Sequence, residues 1–408
     1  AAQDRLLRAV RAANPRTVLV VSSSYPYALT WADEHVPAVL WSAHGGQEYG
    51  HALAAVLCGD ADPGGRLTQT WYRDTAELPD LLDYDIIAAD ATYLYHRGTP
   101  LYPFGHGLSY ARFAYSGLRL SADQVDPDGE IEVSVQVRNV GTRPGDEVVQ
   151  LYTRQRRSRV KQPLRQLRGF ARIRLDPGEQ TTVRLRLRAA DLAHWDVVRG
   201  RYVVEAARHT VAVGRSCLDL PLTATLTVRG EQLGPRPAGP GPLRTVDHDE
   251  YANVTPVPDG PVDTAITAAV PGGWLRFAAV DFGTGVTGVR ARMRPAARKG
   301  QARLLLRLDD PVGGPVAATL TIPAAAPEPP AESVPAVGAA DSTDTVRADR
   351  RPDPAADGWR EVSGQCTGEV TGVRDLYLVF DAPGTTVGWL AFVNEAAGDR
   401  SAAGSGGA

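Results

Sequence analysis

Two short apolar runs set what the front of this chain can build. Thr17 to Val21 (TVLVV) and Ala38 to Trp41 (AVLW) show no polar alternation, the pattern of strands buried on both faces of a parallel sheet. The segments around them read as helices. Leu6, Leu7 and Val10 recur at helical spacing over Asp4 to Ala13, and Asn14-Pro15 stops that helix, because a residue before proline avoids the α region. Tyr27 to Glu34 reads as a short helix, and Gln47 to Leu57, after Gly45-Gly46, as an amphipathic one. This β-α-β-α order is the grammar of a doubly wound sheet. Two strands cannot complete one, since parallel strands need neighbours and helices on both faces. Residues 1–112 are therefore expected to be a partial α/β domain without its N-terminal half, and the absence of a starting Met and of an apolar leader fits that expectation.

The period then changes. Ile131, Val133, Val135 and Val137 alternate with polar residues, as do Val183, Leu185 and Leu187 with arginines, so residues 113–230 predict a β-sandwich of short strands. Asn139-Val140-Gly141 and Asp176-Pro177-Gly178 are turn signals. Residues 231–243 (EQLGPRPAGPGPL) predict a Pro/Gly linker. Residues 244–394 predict a second, jelly-roll-like sandwich, with Leu304, Leu306 and Leu308 inward. The Pro/Ala/Asp-rich stretch 323–357 predicts a disordered loop, and 395–408 a flexible tail. The fold class is thus multidomain: a partial doubly wound α/β segment followed by two all-β sandwiches.

Charge and cysteines narrow the function. Lys+Arg number 44 against 47 Asp+Glu, a net charge of -3, which gives no electrostatic case for nucleic acid. No run reaches the roughly 18–20 apolar residues of a membrane helix. Cys58, Cys217 and Cys366 lie far apart without metal-site spacing. Cys58, in an apolar helical run, is expected to be buried, and a Cys217–Cys366 bridge is open. The arginine run 154–159 reads as a solvated face or loop.

The segment AVLWSAHGGQEYGHALAAVLCGDADPGGRLTQTW and the segment Thr99 to Tyr110 (TPLYPFGHGLSY) together resemble the C-terminal part of family 3 glycoside hydrolases. EVSVQVRNVGTRPGDEVVQLYT, RQLRGFARIRLDPGEQTTVRLRL and Leu192 to Tyr202 resemble that family's fibronectin type III-like domain. The resemblance implies a β-glucosidase or β-xylosidase type of enzyme that removes terminal β-linked sugars from oligosaccharides or polysaccharides with retention. It implies a partner barrel domain that precedes this region and holds the nucleophile. The family's acid/base also falls upstream, so no catalytic residue is assigned here. Retaining chemistry needs two carboxyls about 5–5.5 Å apart, and Glu48, Asp60, Asp62, Asp83 and Asp85 carry no such motif. An extracellular or cell-surface location follows, with the cytoplasm as alternative.

The last domain more weakly resembles a family 6 carbohydrate-binding module, through Pro271 to Phe277 (PGGWLRF), LLLRLDDPVGGPV and DLYLVF…GWLAF. Ala268 and Val270 stand where that family places an aromatic and an Asp. The resemblance implies a structural Ca2+, with Asp247 and Asp249 as its candidate ligands.

The candidate substrate-binding residues are His44, Gln47, Glu48, Trp274 and Trp389. Glu48, after the Gly-Gly turn, is either a sugar-pocket carboxylate or a first-turn carboxylate favoured by the helix dipole. His44 is a sugar ligand or a structural loop histidine. His106, between the glycines of FGHG, reads as a junction residue. Trp274 and Trp389 offer flat faces suited to a pyranose, or are core tryptophans. The alternative function is a non-catalytic carbohydrate-binding or adhesion protein.

Overall fold

The computed structural model describes residues 2–239, 241–261, 263–295, 301–323 and 358–393. It divides into two compact units, Ala1–Asp196 with Gly200–Leu233, and Val197–Arg199 with Gly234–Ala408.

In the first unit, the strands Val18–Ser22 and Ala38–Ser42 pair in parallel, from Val18 opposite Ala38 to Ser22 opposite Ser42. They form a two-stranded sheet. The helices are Ala2–Ala13, Thr30–His35, Tyr49–Cys58 and the single turn Thr92–Tyr95. The second and third begin later than the sequence predicts. Ser23 donates its hydroxyl to Tyr25 O at 2.9 Å, which turns the chain before Thr30, and Glu48 sits at φ -87°, ψ 11° as the residue capping the third helix. Helix Ala2–Ala13 carries the expected apolar stripe, yet none of its residues is buried. The same holds for Tyr49–Cys58, so Cys58 is exposed rather than buried. The local core is aromatic: Trp71 is buried, edge-on to Trp41 at 5.9 Å and tilted against Tyr102 at 6.0 Å.

The same unit continues into a sandwich. Phe113–Leu120, Glu130–Asn139 and Gln180–Arg188 form one sheet. The other runs Gln124–Val125, Leu222–Val228, Ala207–Gly214, Gly145–Gln155, Gln166–Leu175. Alternation places Ile131, Val133, Val135 and Val137 against Val149, Leu151, Val211, Val213 and Leu226, all buried. The Asn139 turn works through its side chain: Nδ2 donates to Arg143 O at 2.7 Å and Leu175 O at 3.0 Å, and Oδ1 accepts from Gly141 N. One part of the arginine run departs from expectation. The Arg159 side chain is largely buried, 3.5 Å from the buried carboxylate of Asp196.

The second unit is also a sandwich. Trp274–Asp281, Val373–Phe380, Ala302–Leu308 and Val316–Ile322 make one sheet, and Arg360–Val370, Val286–Arg294, Thr386–Val393, Asp263–Ala268 and Val254–Asp259 the other. They join at a single pair, Ala318 opposite Cys366. Leu304, Leu306 and Leu308 face the core as the alternation predicts. The linker reading needs correction. Arg236–Pro237 adds to the edge strand Trp274–Asp281, Arg236 and Ala238 are buried, and the stretch packs as part of this domain. Gly-Pro richness there permits a narrow strap instead of preventing packing. All three cysteines are free. The stretch 324–357 and the tail 394–408 lie outside the described residues.

Candidate functional site at the strand ends

Ligands of open α/β sheets gather beyond the carboxyl ends of their strands. Here two loops leave that end. After Ser22 the chain carries Tyr25 and Tyr27, both exposed, with rings 5.5 Å apart. After Ser42 it carries His44, Gln47 and Glu48, all exposed. The base of these loops is fixed: Trp41 Nε1 donates to Ser23 Oγ at 3.0 Å. Gly45 is required by packing, since a Cβ there would fall 2.4 Å from Tyr49 Cδ2. Glu48 Oε2 and His51 Nδ1 meet at 2.6 Å across one helical turn, both well exposed. This is a polar, solvent-facing edge able to meet sugar hydroxyls. The carboxylates of Asp62, Asp83 and Asp85 have structural partners. Asp62 accepts from Ser109 Oγ, Tyr110 N and Asp146 N. Asp83 and Asp85 accept from backbone amides two residues on.

The sequence reading missed the groups that fasten this segment to the sandwich. Arg66 donates to Glu147 at 2.9 Å, with both side chains nearly fully buried. Burial pushes the Glu147 carboxyl up, and Arg66 partly offsets it. Tyr102 donates to Asp33 at 2.8 Å and stacks on His106. Burial pushes His106 down, with the Arg66 charge adding to it. Its flanking glycines are packing-locked: Gly105 has φ 81°, and a Cβ on Gly107 would lie 2.2 Å from Gly65 O. Gln150 Nε2 of the sandwich donates to Gly105 O at 3.1 Å and Cys217 N to Phe104 O at 3.0 Å, so the FGHG turn is the junction the sequence indicated.

In the second unit, Trp274 is half-buried and edge-on to Tyr377 at 5.4 Å, beside Arg276, which donates to Asp375. Trp389 is half-buried on the other sheet, opposite Arg244 and Arg292. The structure therefore does not bring the two tryptophans together. Asp247 and Asp249 do not fit a calcium cage. Asp249 Oδ2 accepts from the buried Arg236 guanidinium at 3.1 Å and from Ala278 N at 2.8 Å, so a cation would have to displace a guanidinium. Among the described residues no group of three or more His, Cys, Asp or Glu is placed to hold a metal.

Comparison with known proteins agrees with this geometry. Residues 1–110 match the family model "Glycosyl hydrolase family 3 C-terminal domain", and residues 147–217 match "Fibronectin type III-like domain". A β-glucosidase of Rhizobium radiobacter is 36% identical over 239 residues, covering 55% of this chain and 29% of that protein. A β-xylosidase of Formosa agariphila is 36% identical over 234 residues, covering 56% of this chain and 32% of that protein. The crystal structure of a β-D-glucoside glucohydrolase from Trichoderma reesei superposes with a TM-score of 0.51 at 32% identity, covering 55% of this chain and 35% of that one. The chain thus spans about a third of the length of the relatives it matches. Among the described residues no helix is long and apolar enough to cross a membrane. The first half of this chain is thus similar to the C-terminal domain of family 3 glycosyl hydrolases over residues 1–110 and to a fibronectin type III-like domain over residues 147–217.

Proposed function

We propose that this chain is the C-terminal portion of a secreted or surface family 3 glycoside hydrolase that releases terminal β-linked glucose or xylose units, with its catalytic carboxylates on the preceding barrel. The loop His44, Gln47, Glu48 forms part of the sugar-pocket wall. The carrying observation is that this polar loop projects from the carboxyl end of the two parallel strands, inside the region most like β-glucosidases and β-xylosidases. The fibronectin-like domain buttresses the site through the Arg66–Glu147 pair. The second sandwich adds sugar affinity through Trp274 and Tyr377, whose rings lie together on one sheet.

Two measurements test this. The 408-residue chain alone gives no turnover of aryl β-glucosides or β-xylosides; activity there would overturn the placement of the carboxylates. In the full-length enzyme, Glu48→Gln raises KM about tenfold with kcat nearly unchanged, as expected for a lost ground-state contact; an unchanged KM would remove Glu48 from the pocket.

A further inference from the structure

The segment 74–90 exposes apolar side chains among a run of carboxylates. Asp74, Glu77, Asp80, Asp83, Asp85 and Asp90 are acidic, and no Lys or Arg lies among them. Several carboxylates turn back onto the chain: Asp74 accepts from Ala76 N at 2.8 Å, Asp80 from Leu82 N at 2.8 Å, Asp83 from Asp85 N at 3.0 Å, and Asp85 from Ile87 N and Ala88 N. The apolar side chains face outward as well. Leu78 is 51% exposed, Leu81 90%, Leu82 76% and Tyr84 84%. The base is held firmly. Asp90 pairs with Lys161 at 2.7 Å and Arg97 at 3.4 Å, Lys161 also donates to Ile87 O, and Tyr72 Oη accepts from Thr92 N. Asp90 and Thr92 both hold positive φ, 49° and 59°, a strained conformation outside glycine that clusters where function over-determines the backbone.

Clustered exposed apolar side chains mark docking surfaces. We propose that this tip seats on the N-terminal portion of the hydrolase, in a socket with an apolar centre and a basic rim; this rests on the reading above. Charge argues against a second copy, because two such tips would face each other with like charges, whereas a basic rim complements them. Shape argues against a sugar ring, since the outward side chains other than Tyr84, namely Leu78, Leu81, Leu82, Ile86 and Ile87, are branched aliphatics without a flat face. Most of the length of the relatives lies outside the aligned region, so the occupant has a source in the same polypeptide.

Amide hydrogen exchange over residues 78–88 tests this, comparing the 408-residue chain with the full-length enzyme. Exchange is expected to slow by about tenfold or more in the full-length protein, as docking suppresses local opening. Leu81→Ser, Leu82→Ser and Tyr84→Ser together should abolish that slowing, with protection in the fibronectin-like strands unchanged as the check on folding. Equal exchange in both proteins, with the full-length enzyme active, overturns the proposal. Slowing that appears in the short chain as its concentration rises also overturns it, in favour of self-association. Slowed exchange in a full-length protein without glycosidase activity leaves the docking standing and removes the functional reading.

Discussion

The α/β segment and the fibronectin-like sandwich belong to one compact unit but bury their apolar residues very differently. In the sandwich, Val135, Val137, Leu151 and Val211 are fully enclosed. In the α/β segment, Val18 and Val20 on the first strand remain 47% and 37% exposed, and Leu6 and Val10 on the first helix point to solvent. Apolar periodicity is equally clear in both. Periodicity reports which residues are designed to be buried, and burial itself depends on what else is packed there. The sandwich closes on its own two sheets, while the α/β faces have their periodicity without a cover in this chain.

The strongest test of that contrast lies at the bond between the regions. Glu147→Ala leaves the Arg66 guanidinium buried without its partner, and removing one member of a buried pair costs about 3–5 kcal/mol. Thermal unfolding should show that loss together with faster proteolysis within residues 1–110. An unchanged proteolysis rate would mean the α/β segment does not depend on the sandwich. A smaller effect is expected within the sandwich as pH falls. Burial, with the Arg168 charge adding to it, pushes His209 down to about 4. A histidine depressed in the folded state is stable when neutral, so stability is full above about 6.5 and is lost as pH falls toward 4, by at most about 3 kcal/mol. His209→Gln should flatten that acid limb of the unfolding curve; an unaltered limb would place its cause elsewhere. The smallest effect belongs to the uncovered face. Leu6→Ser in this chain should change stability by about 0.5 kcal/mol or less, whereas Leu151→Ala costs about 2–5 kcal/mol. Similar losses at the two positions, read by denaturant unfolding, would abolish the contrast.

These regions were also unequally legible from sequence. Alternation gave the sandwich strands and their inward faces residue by residue, because a period of two leaves little freedom once one face is buried. The strands Val18–Ser22 and Ala38–Ser42 were legible as apolar runs. The burial of Cys58 was misjudged, because an apolar helix face implies a neighbour without supplying it. At the candidate site, the Gly-Gly turn marked where His44 and Glu48 would emerge. The Arg66–Glu147 pair was invisible, since 81 residues separate its members and no local pattern announces such a contact. The outward leucines of the 78–87 loop were hidden for a related reason: Asp next to Leu reads as ordinary loop composition, and nothing local says whether a neighbour covers the leucines.

The buried strap at Arg236 changes where the second sandwich can be separated from the first. By composition the cut belongs after residue 243, where the Pro and Gly residues end. A fragment starting there would keep Asp249 but lose the guanidinium that neutralises it, and would strip a strand partner from Trp274–Asp281. A buried anion that loses its counter-ion is among the costlier defects a small domain can carry. The natural seam therefore lies ahead of Gly234, and any exchange of this module between proteins would have to carry its proline-rich leader along.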